Sequence, residues 1–211
     1  MKQTRLDQLA DSIFAIVMTI LVFEIRVPEF YGTANNYDIF KSLVNLLPVF
    51  VSYLLGFSLL FTYWRSHHFI ASILAKNIDT KFTNLNAVFF FFIGLVPFSA
   101  HLLGKYSYSE VAIIFFALNI VLIGFSLFRM RQYAILSTTI ENMPFTKIEN
   151  EHANMHIWFP IIASIIAVIV SFYSITIALL FFTLAILFNL SDRSTKYTFW
   201  VVNLFLKKPL K

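Results

Sequence analysis

The chain has 211 residues, 59% of them hydrophobic and 13% charged, with a net charge of +5. Soluble domains run nearer about 45–50% apolar and about 25% charged, so this composition, with its 26 phenylalanines, excludes a soluble globular protein and makes the chain an integral membrane protein. The absence of cysteine excludes disulfides, zinc–thiolate sites, iron–sulfur clusters and thiol nucleophiles, and in a membrane chain the basic excess reads as orientation in the bilayer rather than nucleic-acid binding.

A hydrocarbon core of roughly 30 Å needs about 20 mostly apolar residues per helix. The sequence predicts six such helices, at about 6–27, 43–65, 84–103, 109–130, 157–171 and 174–190. The first ends at Val27-Pro28. It lacks a small-x-small cleavage pattern and closes in Glu24 and Arg26, so it is expected to stay as a membrane helix. The last apolar block, 157–190, would be roughly 50 Å long as one helix, which predicts two helices split near Ser171–Ser174. Residues 131–156 form the longest polar stretch, and 191–211 read as a cytoplasmic tail. The expected fold is therefore all-α: a single six-helix transmembrane domain over 1–211. No repeat at half length is visible, so a symmetric structure has to come from several copies.

Charge orients the helices. With six spans and a cytoplasmic N-terminus, only Arg26, Lys41 and Lys105 fall in outside loops; the other thirteen of the 16 lysines and arginines lie inside. This is the asymmetry that the positive-inside rule expects, and it places both termini in the cytoplasm.

The first helix has two sides. At 100° per residue, Ser12, Ile16, Thr19, Ile20, Phe23 and Val27 lie within about 60° of Ile16, whereas Asp11 projects about 140° away. An acid inside a membrane normally faces the bundle and finds a partner there. The candidate partners stand at the end of the second helix in "FTYWRSHHF": Trp64, Arg65, His67 and His68. A protonated imidazole or an indole N–H there would bond Asp11, with Arg5 joining from a similar depth. Arg5 and Asp11 are six residues apart and do not face each other on one helix. Arg5, Asp11, Trp64, His67 and His68 are accordingly expected to form a structural latch between the first two helices. Adjacent histidines project about 100° apart on a helix, and no other ligand pattern completes a metal site, so no metal and no cofactor are expected.

Three motifs in order carry a family resemblance. "RLDQLADSIFAIVMTILVFEIRVP" (5–28) resembles the first-helix signature of the transmembrane protein 175 family of potassium channels, which runs Arg, three residues, Phe-Ser-Asp and on to Val-Pro. "YWRSHHF" (63–69) resembles its second-helix signature, and "NLNAVFFFFIGLVPF" (84–98) its third. The chain departs from the first signature at Leu9-Ala10, where the family has Phe-Ser, and so lacks any hydrogen bond that serine makes. The resemblance implies a six-helix subunit of the prokaryotic kind, assembled as a tetramer with the first helices lining a pore.

On that resemblance the function expected is a potassium-permeable cation channel in the cell membrane, with potassium and lipid as its partners. The sequence has no TVGYG-type filter. If the stripe of the first helix lines the pore, Ser12, Ile16, Thr19, Ile20 and Phe23 form its wall, and an apolar constriction there gates by dewetting. The alternative is a proton-coupled secondary transporter using Asp11 and His67/His68 as a relay. Such carriers usually show internal repeats and broken helices, and Gly94 and Pro97 are the only hint of a break. An enzyme is not expected, because Asp11, His67 and His68 are the only acid–base set and no nucleophile stands beside them.

Overall fold

The computed structural model describes residues 3–30, 32–33, 35–75, 77–141 and 147–190; for 73, 147–153 and 185–190 only the backbone is described. The tail 191–211 expected in the cytoplasm lies outside the described residues. Among these residues the chain is all-helical. It consists of α1 (Gln3–Ile20, extended by a 3₁₀ turn Leu21–Glu24), α2 (Asn36–Asn45), α3 (Leu47–His68, running into a π turn Phe69–Leu74), α4 (Thr80–Gly94), α5 (Val96–Lys105), α6 (Glu110–Leu136), α7 (Lys147–Ser171) and α8 (Ile175–Leu190).

Five segments are long and apolar enough to cross a bilayer: Gln3–Glu24, Leu47–Ser72, Thr80–Lys105, Glu110–Leu136 and Asn154–Ser171. The apolar stretch Ile175–Leu184 of α8 is shorter. The long block 157–190 is interrupted at residues 172–174, where Tyr173 and Ser174 N–H both turn back to the Val170 carbonyl.

Proline and capping chemistry set the remaining boundaries. The third predicted helix is two helices, because Pro97 has no N–H to offer the Ile93 carbonyl and the chain breaks at Leu95. Pro48 acts likewise at the start of α3 and separates it from α2. The second helix accordingly starts at Leu47, and residues 36–45, expected as loop up to 41, form a helix of their own. Asn35 caps that helix by accepting the Asp38 N–H at 2.9 Å, and Asp79 caps α4 by accepting the Phe82 N–H at 2.7 Å.

α6 is the central helix. It packs on α4, α5 and α7, and Ile113, Phe116, Ile120, Ile123, Leu127 and Met130 are buried along it. Phe116 meets Phe182 of α8 edge-on at 5.4 Å, and Arg131 Nη1 donates to Asn154 Oδ1 of α7. α3 and α5 cross closely at Gly104, where an added Cβ would meet Ser52 Oγ and lie 3.0 Å from the Val49 Cα. Only a residue without a side chain fits there.

Candidate functional site

α1 is amphipathic in an unusual sense: both its faces are largely apolar, but only one is covered. Leu6, Ala10, Phe14, Val17 and Leu21 recur at the three- and four-residue spacing of one helix face and are buried against α3, α4 and α5. Phe14 is 1% exposed and lies against Phe89 (6.1 Å) and His67 (6.3 Å). The other face is open. Ile16 is 57% exposed, Ile20 41% and Phe23 74%, and Ser12 and Thr19 are exposed between them. Both hydroxyls donate into their own helix, Ser12 to Gln8 O at 2.8 Å and Thr19 to Ala15 O and Ile16 O at 2.9 and 2.8 Å. Their protons are thus turned away from whatever lies over this face, which keeps it weakly polar.

The covered side is tied to the bundle at three levels. At the start, Gln3 Nε2 donates to the carbonyls of Ala71 and Ala75, both at 2.7 Å. These carbonyls are available because the helix ends there in a π turn. Two turns on, Trp64 Nε1 donates to Asp11 Oδ1 at 2.8 Å. At the far end, Glu24 Oε2 approaches His101 Nδ1 on α5 to 2.7 Å, an ion-pair distance without hydrogen-bond geometry.

The predicted latch residues divide into separate groups. Asp11 and Trp64 are joined directly. His68 stacks on Trp64 (6.0 Å, 23° between planes) and its Nδ1 lies 3.2 Å from Ser72 Oγ. His67 belongs to another cluster. It is buried, stacks on Phe89 at 5.2 Å and sits with Nε2 2.7 Å from Asn86 Oδ1. Asn86 Nδ2 is committed to the Phe82 carbonyl at 2.8 Å, so its oxygen faces the imidazole and His67 Nε2 carries the proton. Arg5 is exposed and makes no hydrogen bond or ion pair with Asp11 among the described residues. Nor does a hydrogen bond there join Asp11 to either histidine. Of the two partners expected for Asp11, an imidazole or an indole N–H, the structure pairs it with the indole, because an α3 helix that presents Trp64 to α1 turns His67, three residues on, toward α4.

Four residues of this arrangement escaped the sequence reading. Asn86 lies within the third motif but has no partner legible along the chain. Gln3 and His101 meet groups 68 or more residues away. Asp7, one turn before Asp11, is half-buried, and its Oδ1 is shielded with no hydrogen-bond partner among the described residues. Its i, i+4 spacing from Asp11 was the available signal. A further polar clasp lies at the adjoining ends of α4 and α6. Asp79 Oδ2 accepts from the hydroxyls of Tyr133 and Thr139, the latter at 2.7 Å, and Asn77 bonds Thr139 O and the Glu141 N–H. It joins Asn77 and Asp79, just before α4, to the end of α6 and the residues after it.

Taken together, the apolar spans and a first helix held on one side only define a polytopic membrane protein in which that helix keeps a bare face. Residues 5–97 match the sequence family described as the endosomal/lysosomal potassium channel TMEM175. A curated potassium channel of Chamaesiphon minutus is 32% identical over 102 residues, 48% of this chain and 49% of that protein; the chain thus aligns with about half that relative's length. A potassium channel of a Chryseobacterium species is 25% identical over 188 residues, 89% of this chain and 92% of that protein. The fold superposes with a TM-score of 0.74 on the crystal structure of a lysosomal potassium-selective channel TMEM175 homolog from Chamaesiphon minutus. That match is 26% identical and covers 91% of this chain and 97% of the other. Residues 5–97, where the three motifs begin and almost wholly lie, are thus similar to the TMEM175 family of potassium channels.

Proposed function

We propose that the protein is a potassium-permeable channel in which several copies bring the open face of α1 together around an ion path. The observation that carries this reading is the one-sidedness of α1. It is tied to the bundle near both ends and at Asp11 (Gln3, Asp11, Glu24), yet Ile16, Ile20 and Phe23 stay uncovered on the opposite side. One helix face cannot enclose a path, so copies must meet, and the resemblance puts their number at four. Ile16 forms the narrowest ring, with Thr19, Ile20 and Phe23 following and Ser12 on the other side. An apolar ring of this kind excludes water when closed and strips hydration when open. Potassium is the permeant ion, as the names of the relatives suggest.

In this reading the chain is a single six-helix domain in the cell membrane, with α8 as the sixth span and both termini cytoplasmic. The relatives' description as channels favours this reading over an enzyme. The relay of the transporter alternative is not favoured, since Asp11 is bonded to Trp64 and His67 faces Asn86.

Recording from the purified protein in planar bilayers, with potassium on one side and sodium on the other, tests the reading. A reversal potential displaced toward the potassium equilibrium, with current that does not saturate or need a proton gradient, is the expected result. Saturating flux driven by a proton gradient would replace the channel with a carrier.

A further inference from the structure

α2 is amphipathic, and nothing in the described chain covers its apolar side. At 100° per residue, Tyr37, Phe40, Leu43 and Val44 fall within an arc of about 120°, and Asp38, Lys41 and Asn45 project from the other side. All four apolar residues are exposed, Tyr37 by 70% and Phe40 by 66%.

The position of α2 along the membrane normal follows from its neighbour. A single residue, Leu46, separates it from α3, which crosses the bilayer with its π turn as the 26-residue segment Leu47–Ser72. At 1.5 Å per residue that segment is about 39 Å long, more than the roughly 30 Å of hydrocarbon. The Leu47 end of α3, and with it the Asn45 end of α2, therefore lies near the level where the hydrocarbon gives way to headgroups. The apolar exposure of α2 also continues without a gap into the span, from Leu43 and Val44 to Leu47, Val51 and Leu54 on α3.

We propose that α2 is an interfacial helix whose Tyr37–Phe40–Leu43–Val44 face rests on the boundary between lipid headgroups and acyl chains, with Asp38 and Lys41 in water. A short helix with an aromatic and aliphatic face and a charged back binds a membrane surface in this way. The partner is the bilayer surface itself, on the external side in the topology proposed above. Because α2 lies in the connection between α1 and α3, this contact moors the chain just beyond the end of the helix assigned to the ion path.

The chain has no cysteine, so single cysteines carry a probe cleanly. Nitroxide labels on F40C, L43C and D38C in lipid vesicles report access by oxygen, which partitions into lipid, and by a water-soluble nickel chelate. Oxygen access severalfold above nickel access at positions 40 and 43, with the reverse order at 38, is expected. Equal nickel access at all three positions would overturn the proposal and leave α2 in water. Shielding of 40 and 43 from both reagents, with F40C cross-linking between copies, would overturn it in favour of a subunit contact. Unchanged elution of the assembled variants shows that they are folded, and L43C serves where F40C is not.

Discussion

The indole of Trp64 donates to the carboxylate of Asp11 across the α1–α3 contact at 2.8 Å, while His68 stacks on the same indole. The carboxylate of the first helix is thus held by an indole N–H, a donor that carries no charge of its own. Removing either partner should cost stability through the same interaction. A double-mutant cycle with Asp11→Ala and Trp64→Phe, followed by unfolding in detergent, is expected to give a coupling of about 1 kcal/mol. Strictly additive losses would mean that the two residues act independently.

The two faces of α1 should respond differently to substitution. Ile16→Asn places an amide on the open face in every copy and is expected to raise current and weaken discrimination between potassium and sodium. Phe14→Ala empties a site packed by Phe89 and His67 and should lower stability by about 3 kcal/mol. Its effect on selectivity should be small in whatever protein remains assembled. An Ile16→Asn channel that is folded but unchanged in current and reversal potential would remove α1 from the ion path.

Topology is open to a direct test, since each introduced cysteine is unique. Cysteines at Asn36, just after the cap of α2, and at Asn203, in the tail, are expected to label from opposite sides of the membrane. Labelling from one side would remove α8 as a sixth span.

Asp79 links acidity to stability. Burial works against its charge, but hydrogen bonds from Tyr133, the Phe82 N–H and Thr139 prevail and hold the carboxyl below its ordinary value of 3.8. The folded chain therefore takes up this proton less readily than the unfolded chain. The stabilisation is complete above about pH 4 and is lost as the pH falls through the folded value. Asp79→Asn should be less thermostable than the parent at pH 7, with the difference shrinking toward pH 3. A gap constant across that range would assign the cost to packing instead.

Much of this was written along the chain. Composition alone made the chain a membrane protein, apolar run lengths placed the main helices, and a 100° rotation per residue set Ile16, Thr19, Ile20 and Phe23 on one side of α1 and Asp11 on another. These are properties of a single helix, determined by local geometry. Which groups meet across helices is a different kind of quantity, set by crossing angle and axial offset, and neither appears in the periodicity of one segment. Tertiary structure therefore decided that Asp11 takes the indole of Trp64 rather than an imidazole, that His67 turns to Asn86 on α4, and that Glu24 meets His101 77 positions away. It also decided which apolar face of α1 is buried. Leu6, Phe14 and Val17 are as hydrophobic as Ile16 and Ile20, and only the packing of α3, α4 and α5 against the first set leaves the second uncovered.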